Sequence, residues 1–231
     1  ILDNELVIGY SSWIKKRETA YDLKLLKNYV INETNYINEF DKQRLKFKKA
    51  KNKWLEESMY KPELLAPAGS FEKAKVALIY GADAVYCGSS SLSLRSRASV
   101  ENDDLSNIIK YAHDLGKKVY VAINVYAPDN MYDEIKEQVE ILNKLYVDGV
   151  LVADGGVLDI VKEFAPDIPI HISTQANTLS AHTALFWYKN GAKRIVLSRE
   201  MNKNDIKYLI ENIPQGLETE MFIHGAICWA Y

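Results

Sequence analysis

The sequence predicts an α/β protein whose main part is a parallel β/α barrel of the TIM type. Short β-branched apolar runs alternate with amphipathic segments of about 11 to 18 residues, the pattern of parallel strands joined by crossover helices. This unit recurs about every 25 to 30 residues without interruption, as in a barrel. An open doubly wound sheet usually has a Gly-rich phosphate turn after its first strand, whereas residues 66–70 read APAGS. These three observations favour a barrel over an open sheet.

The pattern gives seven strands and six helices, so the predicted barrel is incomplete and lacks its eighth strand. The predicted strands are residues 63–66, 84–87, 118–124, 150–153, 170–173, 194–197 and 218–223. The predicted helices are residues 71–80, 104–115, 132–146, 157–164, 181–190 and 203–213. Ser70 and Ser180 are the expected N-caps of two helices. Four glycines that follow helical segments are expected to take the left-handed conformation that ends a helix: Gly81, Gly116, Gly149 and Gly191.

Residues 1–58 are polar and rich in Lys and Asn, and their spacing predicts a mainly helical extension before the barrel of residues 59–231. Within this extension, seven basic residues and no acidic residue lie between Lys42 and Lys53. Such a basic stripe can contact RNA phosphates, and it is also the pattern of a solvated helix face. The sequence leaves both interpretations open.

Composition narrows the class of protein. The formal net charge is −2, so the average surface has no attraction for nucleic acid or membrane. No apolar run approaches the ~20 residues that span a bilayer. The N-terminal residues lack the features of a signal peptide and do not begin with Met. Two cysteines, Cys87 and Cys228, are too few for a disulfide framework, so we expect a cytoplasmic protein without a membrane span.

The reactive face of such a barrel lies at the C-terminal ends of its strands, which selects candidate residues without any alignment. The candidates are Arg95, Arg97, Asn124, Gln175, Asn177, Arg199, Glu200, Glu220 and His224. The arginines suit bidentate recognition of a carboxylate or phosphate, although loop arginines also pair with neighbouring acids such as Glu200. The amide side chains supply both hydrogen-bond donors and acceptors.

His224 and Cys228 are four residues apart, so they would share one face of a helix. Such a pair suits either a thiolate–imidazole pair or two metal ligands, and the sequence does not decide between them. His171 lies inside a predicted strand, where it either points into the barrel or is a satisfied core histidine. Cys87 ends the second strand and is expected to be a small buried apolar group.

Several runs resemble the collagenase-like peptidase family U32. They are residues 63–71 (ELLAPAGSF), 81–86 (GADAVY) with Gly88, 93–98 (SLRSRA), 171–177 (HISTQAN) and 198–200 (SRE). Residues 220–228 (EMFIHGAIC) fit the first half of the family's signature, E-x-F-x-x-G-[SA]-[LIVM]-C-x(4)-G-x-C. The resemblance covers residues from about 60 to 231 and does not reach residues 1–58.

The resemblance implies RNA modification. Members of the family are implicated in 5-hydroxylation of the tRNA wobble uridine with prephenate, of a cytidine in large-subunit rRNA, and in oxygen-independent ubiquinone hydroxylation. Prephenate is a small dicarboxylate, which would give Arg95, Arg97 and Arg199 a task. The resemblance also implies an iron–sulfur cluster in the full-length protein, with Cys228 as its first ligand and the other ligands beyond residue 231. The partner would be tRNA, and its positive contact surface would come either from the Lys42–Lys53 stripe or from the part of the full-length protein beyond residue 231.

Two other classes of function remain open. In a peptidase, Cys228 could be the nucleophile, His224 its base and Glu220 an orienting carboxylate. In a non-catalytic assembly module, the edge strand at residues 218–223 would bind a partner subunit or a second copy of the chain.

Overall fold

A computed structural model describes residues 62–89, 92–93 and 99–224. The predicted helical extension, with its Lys42–Lys53 stripe, lies outside these residues, as do Arg95, Arg97 and Cys228. Within them the barrel prediction is confirmed, because parallel strands alternate with helices from end to end. None of the helices in the described ranges is long and apolar enough to cross a membrane.

The strands in the described part of the chain form one parallel sheet. They are β1 Leu65–Pro67, β2 Ala84–Ser89, β3 Ser99–Val100, β4 Lys118–Ile123, β5 Gly149–Val152, β6 Ile170–Ile172, β7 Ala192–Val196 and β8 Glu218–Glu220. The main path runs β1-β2-β4-β5-β6-β7-β8, so each of its strands pairs with the next along the chain. The two-residue β3 was not predicted and pairs with the end of β2. This order never reverses, as it would in a doubly wound sheet.

Six α-helices connect the strands. They are α1 Phe71–Ile79, α2 Asn102–Asp114, α3 Tyr132–Lys144, α4 Gly155–Phe164, α5 Ala181–Lys189 and α6 Lys203–Glu211, with 3-10 turns at Asp129–Met131 and Thr174–Ala176. Both predicted serine caps are confirmed, since Ser70 Oγ accepts from the Lys73 amide and Ser180 Oγ from the Thr183 amide. Each cap satisfies one of the backbone amides that a helix leaves unpaired at its start.

The helix-ending glycines are confirmed at three of the four predicted positions. Gly81, Gly116 and Gly191 have φ angles of 107°, 63° and 106°. The prediction for Gly149 is wrong, because α3 ends at Lys144 and the left-handed residue after it is Tyr146, with φ 57°. Gly149 instead begins β5.

The sheet carries apolar side chains on both faces. Its outer face packs against the helices in the larger core cluster. Its inner face holds a second cluster, formed by Ala84, Tyr120, Ala122, Leu151 and Val196 with Leu65, Tyr86 and Phe222 against them. Residues two apart on a strand point to the same side, which explains why Tyr120 and Ala122 share the inner face.

An ion pair across the interior shows that the sheet is curled. Nη1 of Arg194 on β7 lies 2.9 Å from Oε1 of Glu63, two residues before β1. Five strand spacings separate β1 from β7 along the sheet, which is about 24 Å if the sheet were flat. The contact is therefore made through the inside of a barrel-like curve.

Candidate functional site

A pocket opens at the carboxyl ends of the strands, where the barrel prediction places the reactive face. It contains about 500 Å³ of space, part of which is open to solvent. Its lining consists of Tyr86, Gly88, Ser93, Ala122, Asn124, Leu151, Ser173, Thr174, Gln175, Val196, Glu220 and Phe222. Three predicted site residues, Asn124, Gln175 and Glu220, therefore meet in one pocket although they are far apart in the sequence.

The mouth of this pocket is organised around Gln175. Its side-chain oxygen accepts hydrogen bonds from Asn124 Nδ2 at 3.0 Å and from Ser173 Oγ. Its main-chain oxygen accepts from the Tyr126 hydroxyl at 3.1 Å. Thr174, also in the lining, has a buried hydroxyl without a hydrogen-bond partner in the described part of the chain. The mouth thus combines amide side chains held by hydrogen bonds with a buried hydroxyl that has no partner among the described residues.

A charged layer lies beneath the pocket and is called its floor here, although Glu220 is its only member in the lining. Arg194, 9% exposed, contacts three carboxylates: Glu63 at 2.9 Å, Glu218 at 2.7 Å and Glu220 at 3.4 Å. Its guanidinium also lies 5.0 Å from the centre of the Tyr120 ring. The Tyr120 hydroxyl donates to both carboxylate oxygens of Glu63, at 2.9 and 3.0 Å. These contacts fix one cation among several acids inside the barrel.

The pKa values of the two enclosed carboxyl groups, Glu220 and Glu63, are shifted in opposite directions. Burial raises the pKa of Glu220 above its ordinary value, and the charge of Arg194 offsets this only in part. Burial also opposes ionisation of Glu63, but Arg194 and the hydrogen bonds from Tyr120, Arg194 and Lys118 outweigh it and hold the pKa of Glu63 below its ordinary value. Two carboxyl groups on one guanidinium thereby acquire different proton affinities.

His171 lies beside this floor and is neutral. Its ring is 4.7 Å from the ring of Tyr120, and its Nδ1 is buried without a hydrogen-bond partner among the described residues. Burial, assisted by the charge of Arg194, lowers the pKa of His171 to about 3. Of the two interpretations that the sequence left open, the inward-pointing one is confirmed.

Arg199 lies at the edge of the pocket. Its guanidinium carbon is 4.3 Å from the ring centre of Phe222, which lines the pocket. Its Nε and Nη2 atoms are buried and have no hydrogen-bond partner in the described ranges. Within those ranges Arg199 forms no ion pair with the neighbouring acid Glu200, the alternative that the sequence had left open.

Other predicted site residues do not reach the pocket. Glu200 and His224 are exposed and are not part of its lining. Asn177 takes a left-handed conformation after a 3-10 turn and has a buried, unpartnered side-chain oxygen, but it does not line the pocket either. Arg95, Arg97 and Cys228 lie outside the described residues, so their predicted roles stay predictions.

Sequence reasoning missed the floor of the pocket. Arg194, Tyr120 and Glu63 were not among its candidates, although a signal was present. Arg194 immediately precedes the apolar run Ile195-Val196-Leu197. It lies two residues before Val196 on the same strand, so the two side chains point to the same, inner side of the sheet. A charged residue at an interior strand position needs a partner, and that requirement could have directed attention to acids elsewhere in the barrel.

The described residues do not fit an iron–sulfur cluster. They contain no group of three or more His, Cys, Asp or Glu side chains able to hold a metal ion. Cys87 is fully buried, and burial raises the pKa of its thiol to about 12, so it is protonated rather than a thiolate ligand. The core role predicted for Cys87 is confirmed.

Fold and site together define a TIM-type barrel with a pocket of apolar walls and a few polar groups at the carboxyl ends of its strands, and a charged floor beneath it. The solved structure of the U32 peptidase Mk0906 shares this fold, with a TM-score of 0.59 and 18% identity over 70% of this chain and 69% of that one. Residues 69–231 match the family described as Peptidase family U32. The chain belongs to that family.

Curated relatives bear names that refer to RNA. The tRNA hydroxylation protein P of Helicobacter pylori strain 26695 is 43% identical over 175 residues, which are 75% of this chain and 41% of that protein. The 23S rRNA 5-hydroxycytidine C2501 synthase of Escherichia coli K12 is 34% identical over 75% of this chain and 26% of that protein. The chain thus spans well under half the length of these relatives.

Proposed function

We propose that this chain is the barrel portion of an RNA-modification protein that 5-hydroxylates the wobble uridine of tRNA in the cytoplasm. The observation that carries the proposal is the 43% identity to a tRNA hydroxylation protein over three quarters of the chain. The family match includes every pocket-lining residue. A pocket at the carboxyl ends of the strands is the place for the target base, because enzymes that act on a base take it out of the stack into a pocket.

The amides at the mouth support recognition of a uracil ring. Uracil presents carbonyl oxygens and an imide N–H along one edge, so its recognition requires both acceptors and donors. Asn124 and Gln175 supply both kinds of group, and Tyr126 and Ser173 fix the position of Gln175. A site whose polar groups are already oriented loses less entropy when it binds.

We further propose prephenate as the co-substrate, with Arg199 binding one of its two carboxylates. Nε and Nη2 of an arginine form the edge that accepts a carboxylate through two parallel hydrogen bonds. Those two atoms of Arg199 are buried and unpartnered among the described residues. Arg95 and Arg97 are proposed for the second carboxylate on the strength of their position after the second strand.

The whole protein is proposed to hold an iron–sulfur cluster with Cys228 as its first ligand, a group that would supply electron transfer. The described residues do not provide its site. Contacts with tRNA phosphates are proposed for the Lys42–Lys53 stripe, since neutralising phosphates supplies much of the affinity for nucleic acid.

The test is a nucleoside digest of tRNA from cells that lack the gene. We expect nucleosides derived from 5-hydroxyuridine to disappear and to return with the full-length gene. A gene carrying Arg199→Gln should restore them poorly, whereas Lys207→Gln, which removes an exposed cation from α6, should restore them fully. Unchanged 5-hydroxyuridine derivatives in the deleted strain would count decisively against the proposal.

A peptidase is the second candidate, favoured by the family's description and by the name of the solved relative. The described residues lend it little support. His224 is exposed, and the hydrogen bond of the Glu220 carboxylate comes from Arg194, so Glu220 does not orient His224. Gelatin cleavage by the full-length protein that is abolished by Cys228→Ala, with folding retained, would favour the peptidase over RNA hydroxylation.

A further inference from the structure

Two carboxyl groups share one guanidinium nitrogen in the floor of the pocket. Glu220 ends β8 and lines the pocket, and its Oε2 lies 3.4 Å from Nη1 of Arg194. Glu63 precedes β1, does not line the pocket, and its Oε1 lies 2.9 Å from the same nitrogen. The carboxyl group that faces the ligand space is therefore connected through Arg194 to one that does not.

Contacts other than the one with Glu220 hold the Arg194 side chain in place. Its Nε and Nη2 atoms contact Glu218 at 2.8 and 2.7 Å, and its guanidinium lies over the Tyr120 ring. Glu63 is itself held by two hydrogen bonds from the Tyr120 hydroxyl. These contacts fix the guanidinium on its other edges, so Nη1 keeps one position relative to Glu220.

The enclosed part of this network carries an excess of negative charge. Glu63 and Glu220 are 22% and 18% exposed and share Arg194, whereas Glu218 and Lys118 are 63% and 54% exposed and are screened by water. One enclosed cation serves two enclosed carboxyl groups, so burial disfavours the ionisation of both at once. Glu63 accepts three further hydrogen-bond contacts, two from Tyr120 and one from Lys118, which stabilise its ionised form, so Glu220 is the one of the two that holds a proton more readily.

We propose that Glu220 is the proton donor of this pocket, and that Arg194, held by Glu63, is the residue that positions it. The inference deepens the proposed function, on which it rests. Its ligand class is a carbonyl oxygen that gains negative charge during reaction, such as that of a pyrimidine ring. The charged groups that act on Glu220 are Arg194 on β7, Glu63 before β1 and Glu218 on β8. Tyr120 and Lys118 on β4 and His171 on β6 surround Arg194 and Glu63 in turn.

The proton balance of this step is simple. The O–H bond of Glu220 breaks as the proton moves to the ligand oxygen, and the carboxylate that remains is stabilised by Arg194. The carboxyl group regains a proton from water when the product leaves. The raised pKa of Glu220 agrees with this assignment, since a neutral acid is required at the start of the step.

A direct test follows the carboxylic acid C=O band of Glu220 by infrared spectroscopy of the full-length protein during a pH titration. The band is identified by its loss in Glu220→Gln. We expect Arg194→Met to raise the pH at which the band disappears and Glu63→Gln to lower it, because one change removes the nearby positive charge and the other a negative one. Opposite shifts would show that Arg194 and Glu63 control the proton affinity of Glu220, and the activity measurement below then decides whether Glu220 is the donor.

Glu218→Gln is the matched control. It also removes a carboxylate contact of Arg194, but Glu218 is mostly exposed, so its shift should be smaller than that of Glu63→Gln and in the same direction. If the Arg194→Met protein does not fold, the infrared titrations of Arg194→Lys and Glu63→Gln are compared instead. No band assignable to Glu220 near neutral pH, or shifts of Arg194→Met and Glu63→Gln in one direction, would overturn the proposal.

An activity measurement completes the test. The initial rate at which hydroxylated nucleoside appears after induction of the full-length gene should fall about 100-fold or more with Glu220→Gln, the usual contribution of general acid catalysis. A rate within threefold of wild type would show that Glu220 is not the donor. If the wild-type gene restored no hydroxylated nucleoside, the proposed function would fail, and the infrared titration alone would decide the protonation and positioning of Glu220.

Discussion

His171 makes the barrel sensitive to acid. The side chain is 3% exposed, and its pKa of about 3 in the folded protein compares with an ordinary value of 6.5. Below pH 6.5 the unfolded chain binds a proton that the folded chain does not, so the free energy of unfolding falls as the pH falls from 6.5 toward 3. At pH 5 this loss is about 2 kcal/mol relative to pH 7.

Replacing His171 by Gln should remove that dependence. We expect the free energy of unfolding of His171→Gln to fall less between pH 7 and pH 5 than that of wild type, by about 2 kcal/mol. Urea titrations of both proteins at pH 5, 6 and 7, followed by Trp fluorescence, provide the measurement. Parallel pH dependences of the two proteins would contradict the neutral assignment of His171.

The side chain of His171 leaves little room for a side chain at position 149. A Cβ atom at this position would lie 3.1 Å from Cε1 and Nε2 of His171 and 3.1 Å from the Pro169 carbonyl oxygen. We expect Gly149→Ala to destabilise the protein by about 1–2 kcal/mol, because packed interiors tolerate added volume poorly. In Gly155→Ala, at the start of α4, the new Cβ would meet nothing within 4 Å, so it should be neutral or slightly stabilising. Urea midpoints compare the two, and equal effects would exclude the steric explanation.

The ends of α2 and α3 use the same left-handed conformation with different residues. Gly116 follows α2 with φ 63°, and Tyr146 follows α3 with φ 57°. A residue with a Cβ atom pays a steric penalty of about 1 kcal/mol in this region. The Tyr146 side chain is 81% exposed, so little packing offsets that penalty.

Substitutions at these two helix ends should have opposite effects on the stability of the protein. Tyr146→Gly should stabilise the protein by about 0.5–1 kcal/mol, and Gly116→Ala should destabilise it by about 1 kcal/mol. Space is not a factor at Gly116, where an added Cβ would meet nothing within 4 Å. Thermal melting of both variants measures the effects. Loss of stability in Tyr146→Gly would indicate that the exposed ring makes a contact of energetic importance.

The order of strands and helices could be predicted because each element has its own sequence signal. Alternation with period 2, caps such as Ser70 and Ser180, and three of the four glycines all act within a few residues. The Gly149 prediction failed because Tyr146, a residue that rarely takes positive φ, ends α3. The short β3 was missed because two residues carry no periodicity.

The pocket mouth could be predicted in part, whereas in the floor only Arg194 has a sequence signal and its partners do not. Asn124, Gln175 and Glu220 follow from the rule that barrel sites lie at the carboxyl ends of strands. The Glu63–Arg194 pair joins residues 131 positions apart, and it forms only because the sheet curls. No local pattern encodes that distance, so the acidic partners of Arg194 can be identified only in the folded molecule.

The two cysteines should differ in their relation to iron in the full-length protein. Cys87 is buried in the core with its thiol protonated, whereas Cys228 stands where the family signature places its first cysteine. We expect full-length protein purified without oxygen to contain iron and sulfide, and Cys228→Ala to lose most of both. Cys87→Ala should keep them while losing some stability, because it removes a buried sulfur atom from the core. Iron and sulfide analysis with an absorption spectrum measures all three proteins. Equal iron in wild type and Cys228→Ala would remove Cys228 from the ligand set, and loss of iron in a folded Cys87→Ala protein would contradict the buried, protonated thiol.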